Sequence, residues 1–252
     1  MRWNKSIAII AVLAAVAIAQ PVRAQFDAIA QDARSGALGG SFVFDPGGRC
    51  VSIGYRANYL LEGMADKSLR LQLPVAAMGT VVAGYRHHGD AVYHEQHLAL
   101  GYAMRVSDWL TMGVAGRYLH VGTADPHYDP QQWLAASALL RASLGRTTLM
   151  LWGGTRPWDD RTPWRLHLQA AYRPVSPLLT IIEVEQEERW RLRMGMEYAY
   201  RNTIFLRAGA ATHPTVLTFG IGLRMKQYAI DLSAEVHSNL GLTPHTSLTL
   251  WF

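Results

Sequence analysis

The charged residues with a regular spacing in this sequence lie between 164 and 200, on one side of an alternating pattern. They are Arg165 and His167, then Glu183 and Glu185, then Arg191 and Arg193, with Asp231 and Glu235 further on. Groups of these types can do one of two things. A hairpin centred on Glu188 places Glu185 opposite Arg191 and Glu183 opposite Arg193, as cross-strand ion pairs in a salt ladder. Left unpaired, the same arginines form a basic stripe suited to holding or passing an anionic solute.

Histidine is the second reactive type. Eight of the ten (His87, His88, His94, His120, His127, His213, His237 and His245) fall at or near expected outer loops. Imidazole is a transition-metal ligand, but no His-x-His or HExxH spacing occurs. A solvated loop face is therefore expected and no metal site is. Residue types for hydrolysis occur in His237-Ser238 and in Asp125 with His127. No GxSxG elbow or other local catalytic motif accompanies them. The chain is read as non-enzymatic, with no cofactor.

Period-two alternation positions these side chains. Val51, Ile53, Tyr55, Ala57 and Tyr59 alternate with Cys50, Ser52, Gly54, Arg56 and Asn58, and Trp190, Leu192, Met194, Met196, Tyr198 and Tyr200 alternate with Arg191, Arg193, Gly195, Glu197 and Ala199. That is the period of a strand. Fourteen such segments are predicted, near 49–60, 68–76, 79–87, 93–106, 109–121, 132–144, 146–153, 164–173, 177–186, 189–200, 203–211, 215–225, 227–236 and 244–252. Many run to about ten residues, the length that crosses a bilayer when tilted. Tight links at Val106-Ser107-Asp108, Leu144-Gly145-Arg146, Arg201-Asn202 and Lys226-Gln227 alternate with longer ones at 122–131, 154–163 and 237–243. Short turns on one rim and longer loops on the other indicate an all-β, antiparallel transmembrane β-barrel of 14 strands. The alternative is 12, should the second and third or the sixth and seventh segments each be one.

Aromatic residues fall at both ends of the strands, as two interfacial girdles require. Trp109, Tyr172, Tyr198, Tyr200, Tyr228 and Phe252 mark the turn side, and Tyr59, Tyr118, Trp164 and Trp190 the loop side. The last segment alternates Thr246, Leu248, Leu250 and Phe252. A terminal strand closing on Phe is similar to the signal read by barrel-assembly machinery, so Leu248, Leu250 and Phe252 are its candidate residues.

Composition agrees. The chain is 50% hydrophobic and 17% charged with mean hydropathy +0.02, too apolar for disorder, and one cysteine cannot make an internal disulfide. Arg2 and Lys5, an apolar run from Ile7 to Ala19 and Val22-Arg23-Ala24 read as a cleaved secretory signal over 1–24. Its removal lowers the basic residues from 24 to 21 against 19 acidic, and no nucleic-acid partner is expected. Outer-membrane lipid of a Gram-negative-type envelope is the expected surrounding. Residues 25–48 are left as an N-terminal segment, a candidate lumenal plug, with the barrel over 49–252.

That segment carries a motif. Asp32-Ala33-Arg34-Ser35-Gly36-Ala37-Leu38-Gly39-Gly40, then Ser41-Phe42-Val43-Phe44 and Asp45-Pro46, resembles the N-terminus of the FadL and PorV/PorQ group of outer-membrane barrels. There an A-R-x-x-x-(M/L)-G-G stretch precedes the first of fourteen strands. The resemblance implies either uptake of a hydrophobic molecule through a plugged barrel, or service to type IX secretion as a non-enzymatic partner of secretion-complex proteins with a sealed lumen. Arg34, Gly36, Gly39 and Gly40 are the motif residues, architectural in both. This chain is shorter than either kind, and its loops are too short to form a large ligand-catching surface.

Overall fold

A computed structural model describes residues 32–43, 48–75, 79–127, 129–157, 164–186 and 189–252. The secretory signal and residues 25–31 lie outside the described residues. Among the described residues, fourteen antiparallel strands follow one short helix: α1 (Ala33–Ala37), β1 (Cys50–Ala57), β2 (Ala65–Val75), β3 (Gly79–Gly89), β4 (Tyr93–Ser107), β5 (Leu110–Thr123), β6 (Gln131–Leu144), β7 (Thr147–Thr155), β8 (Trp164–Tyr172), β9 (Leu178–Gln186), β10 (Trp190–Tyr200), β11 (Ile204–Ala211), β12 (Val216–Met225), β13 (Tyr228–His237) and β14 (Gly241–Trp251). Each strand pairs with its sequence neighbours, and β1 also pairs with β14, so the sheet is a closed barrel. All fourteen predicted segments are strands, including both pairs on which the count of 12 rested.

Alternation fixes which residues meet which medium. Outward positions are apolar and exposed: Leu134 is 80% exposed, Leu100 63% and Phe219 55%. A continuous apolar exterior of this extent does not suit water, whereas it is what lipid requires of a spanning barrel. Inward positions are polar and buried, with Glu183 at 0%, His167 at 1% and Arg165 at 2%. Cys50 lies buried on this inner wall.

Three expectations need correction. The 238–240 link is short, because the His237 ring Nδ1 accepts from both Asn239 N–H and Leu240 N–H at 3.1 Å. With Gly241 at φ +93°, that tight turn lets β13 and β14 stay paired out to His237 and Gly241. Links 90–92, 187–189 and 212–215 are equally brief, so only 58–64, 124–130 and 156–163 are longer loops. Tyr59 belongs to no girdle. It sits at φ 55° in a 3₁₀ turn (Asn58–Leu60), where its N–H donates to Thr243 Oγ1 and its ring meets His237 edge-on at 5.9 Å. Phe252 lies one residue beyond β14, although its N–H still donates to Arg49 O at 3.2 Å.

The lipid-facing assignment predicts that Met194→Arg, in the middle of β10 and outward, destabilises the folded barrel by ~2–4 kcal/mol, whereas Met225→Arg, at the turn end of β12, costs only ~0–1 kcal/mol. Urea unfolding in lipid vesicles measures both.

Candidate functional site: a plugged, two-sided lumen

The plug is built from local signals. Asp32 caps α1, its Oδ1 accepting from Ser35 N–H at 2.8 Å, as N-cap aspartates do. Gly39 and Gly40 end the helix at φ +73° and +78°, a conformation glycine adopts without steric cost. Ala33, Ala37, Leu38 and Ser41 are each 0% exposed, so a segment of small residues fills the barrel's interior.

The wall is shaped to receive it. Gly195, Gly209 and Gly220 stand on β10, β11 and β12 with their Hα positions toward the plug. A Cβ on Gly195 would lie 2.8 Å from Leu38 O, and one on Gly220 2.5 Å from the Ala37 Cβ. Around this cradle, side chains satisfy the plug's backbone. Ser247 Oγ accepts from Ala33 N–H, and Thr218 Oγ1 accepts from Gly39 N–H and donates to Ala37 O. Arg193 donates to Gly40 O at 3.0 Å and Gln169 to Phe42 O at 2.8 Å. Leu38 adds apolar packing against Leu179 and Ile181.

All eight lumen candidates face inward, and most converge in ion pairs. Glu185 faces Arg191 and Glu183 faces Arg193 in the β9–β10 register. Arg193 Nη2 reaches Glu185 at 2.6 Å and its Nη1 reaches Glu183 at 3.3 Å, while Arg191 meets Glu185 at 3.5 Å. His167 completes the cluster from β8, 3.0 Å from Glu183 and 3.4 Å from Glu185, and stacks on Trp152 at 3.5 Å between centroids. Arg165 lies 5.8 Å from the same indole. The ladder reading therefore describes Arg191 and Arg193, and the basic-stripe reading does not.

Asp231 and Glu235 belong to other groups. A chain runs from the plug's Arg34, bidentate on Glu197 at 2.7 and 2.8 Å, through Arg207 to Asp231 at 2.6 Å. Glu235 takes Arg56 at 2.9 Å. At the loop end, Asp66 gathers Arg86, His88 and Asn58. Arg207, Asp66 and Arg86 were not among the sequence candidates: Glu197 faces Arg207 across β10–β11 and Asp66 faces His88 across β2–β3, while Arg207 to Asp231 and Arg56 to Glu235 join strands that are not neighbours. Of the plug motif, Arg34 makes the bidentate pair, Gly39 and Gly40 form the helix exit, and a Cβ at Gly36 would stand 3.1 Å from Ser233 Oγ.

Cavities flank the plug. One of about 180 Å³ at the loop end touches Gly39, Gly40, Arg191 and Glu235. Another of about 600 Å³ at the turn end touches Asp32, Arg34 and Val43. A third, of about 120 Å³, lies where β3–β7 present Gly84, Ala99, Gly101, Gly113 and Ala115, against Phe42 of the plug and Trp152. Those two rings meet edge-on at 5.9 Å. The lumen thus has a charged sector and an apolar sector of small residues.

The histidines do not form a solvated face. His245 and His97 are buried in the lumen, His88 serves Asp66, and on the outward side of β3, β4 and β5 His87 stacks on His94 at 5.9 Å, with His120 tilted against His94 at the same distance. Among the described residues no three His, Cys, Asp or Glu lie close enough to hold a metal ion. Asp125 and His127 close an exposed turn, His127 N–H and ring both meeting Asp125 Oδ1 at 2.9 Å.

No family model matches the sequence, and no curated protein matches it. Solved structures do match in fold. They include the Ralstonia pickettii toluene transporter TbuX (TM-score 0.63, 12% identity, 88% of this chain and 98% of that one). The TodX deltaS2S3 mutant monoaromatic hydrocarbon channel matches at 0.64, with 10% identity over 89% of this chain and 98% of that one. The CymD monoaromatic hydrocarbon channel matches at 0.62, with 10% identity over 82% and 89%. All three are FadL-type outer-membrane barrels, so the fold implied by the N-terminal resemblance is the one observed.

Two outcomes test the lumen. Glu183→Ala leaves Arg193 and His167 with Glu185 alone and should cost less than the ~3–5 kcal/mol of a broken buried pair, whereas Arg193→Ala strips both Glu183 and Glu185 of their shared guanidinium and should approach that figure, with a double variant costing well under the sum; urea unfolding of the four proteins in vesicles gives the coupling. Burial raises the Asp32 carboxyl, but Arg70, the Ser35 N–H and hydroxyl, and Arg34 outweigh it and hold the group below its usual 3.8. Its contribution to docking is thus complete above about pH 4 and is lost as pH falls through the lower native value. Plug amide exchange, corrected for intrinsic rates, should rise in that acid range, and Asp32→Asn should remove the dependence.

Proposed function

We propose that this chain is a non-enzymatic outer-membrane channel for a small apolar solute, with residues 32–43 as its gate. The observation that carries the reading is the apolar cavity of about 120 Å³ between the plug's Phe42, Trp152 and the small residues of β3–β7. A dry pocket of roughly 150 Å³ lined by apolar side chains binds benzene in another protein, so the dimensions suit one aromatic ring. The fold likeness to barrels described as a toluene transporter and as monoaromatic hydrocarbon channels supports the same reading. An anionic solute moving along Arg191 and Arg193 draws no support, because Glu183 and Glu185 neutralise both.

A second reading rests on how firmly the plug is held. Its backbone is bonded by side chains from β8, β10, β12 and β14, which favours a sealed barrel that assists a secretion or surface-assembly complex of the PorV kind. Mass spectrometry of the protein purified in mild detergent separates the two by showing a bound small molecule or a stable protein partner.

Gly84 supplies the direct test of the channel reading. A Cβ there meets only ordinary contacts, at 3.9 Å from the Ala99 Cβ and 4.0 Å from Leu69 O, so Gly84→Leu fills the chamber without disturbing the wall. Calorimetry with toluene should show saturable binding to the parent barrel and none to this variant. Absence of saturable binding in the parent, or equal binding in both, rejects the channel reading.

A further inference from the structure

The charges of the lumen do not balance along its length. Every inward carboxylate of the ladder, the plug chain and the Asp66 group has a cationic partner, and further arginines gather at the turn end. The acids on the wall of the cavity of about 600 Å³ are Asp32, Glu197 and Asp231. Arg70 takes Asp32 at 3.7 Å, Arg34 takes Glu197, and Arg207 spans Glu197 and Asp231. Four more arginines line the same cavity: Arg141, Arg146, Arg173 and Arg224. Among the described residues, no carboxylate pairs with any of these four.

Three of the four are nevertheless held in place. Arg141 Nη1 donates to Ser143 Oγ at 3.1 Å, Arg146 Nη1 donates to Pro174 O at 2.7 Å, and the Arg224 guanidinium lies 4.5 Å from the Trp251 ring centroid. Each guanidinium has five N–H donors, so these contacts orient the groups while leaving most donors available. Hydroxyls of Ser143, Thr148 and Ser176 also line the cavity. Four like charges around one cavity repel one another, and a multiply charged oxyanion relieves that repulsion while accepting paired N–H bonds from the guanidinium forks.

We propose that the turn-end cavity is a binding site for a phosphate-class anion, independent of what crosses the apolar sector. The phosphate is carried either by a small free solute or by a lipid headgroup. Arg141, Arg173 and Arg224 are its principal contacts, placed on β6, after β8 and on β12, so the site depends on the closed barrel to bring three separated segments around one ligand.

Calorimetric titration of the folded full chain in dodecyl maltoside with inorganic pyrophosphate, at about 0.15 M salt, tests this. Saturable binding is expected, weakened about tenfold or more by the double variant Arg141→Gln, Arg224→Gln. Arg173→Gln alone, at an exposed position, should weaken it in the same direction and covers failure of the double variant to fold. Arg201→Gln changes the same rim outside the cavity, where Arg201 lies over Tyr200, and should leave affinity unaltered. Absence of saturable binding, or an equal loss with Arg201→Gln, overturns the site in favour of diffuse rim charge. Tighter binding of dodecyl phosphate than of pyrophosphate assigns the anion to a lipid headgroup, and equal or weaker binding assigns it to a free solute; both uphold the site.

Discussion

In hydrocarbon an unpaired backbone N–H or C=O finds no water, and each costs several kcal/mol. The seam between β1 and β14, from Cys50 with Trp251 to Arg56 with His245, removes the last free edges of this sheet. Closure also constrains the interior. Alternate side chains must face inward, into a lumen narrow enough that they touch across it. An inward charge buried away from water needs a neighbour to neutralise it, as Arg193 does for Glu183 and Glu185.

The plug and the charge network are one construction. Arg193 binds Glu183, Glu185 and the Gly40 carbonyl, and Gln169 binds both Glu183 and the Phe42 carbonyl. Arg34 extends the same logic from the plug outward, through Glu197 and Arg207 to Asp231. The side chains that neutralise the wall therefore also fix the position of Phe42, and Phe42 closes the apolar sector. A buried ion pair adds little net stability against its desolvation penalty, but it fixes geometry, and here it sets where the cavity lies.

Much of this was legible in the sequence. Alternation placed all fourteen strands, and a hairpin centred on Glu188 was enough to put Glu185 opposite Arg191, because register within one hairpin is local. Contacts between distant segments were not legible. Arg207 of β11 reaches Asp231 of β13 past Gly222, and Arg56 of β1 reaches Glu235 of β13 beyond the β1–β14 seam, and nothing near either arginine in sequence signals its partner. The cradle was invisible for another reason: Gly195, Gly209 and Gly220 carry no side chain and read as gaps in the polar face, although the space they leave is what admits the plug. The loop at 238–240 was overestimated because the turn is closed by a histidine ring nitrogen, an acceptor that turn composition does not reveal.

The plug's partners also bear on how the molecule is made. Ala33 bonds to Ser247, 214 residues later, and Gly39 to Thr218, so the plug has no complete binding site until the last strands exist. Contacts of such sequence separation form slowly, and the plug's docking waits on β12 and β14. Biogenesis of this barrel thus ties its two ends together: a segment made early takes its place only when the strands made last supply its partners.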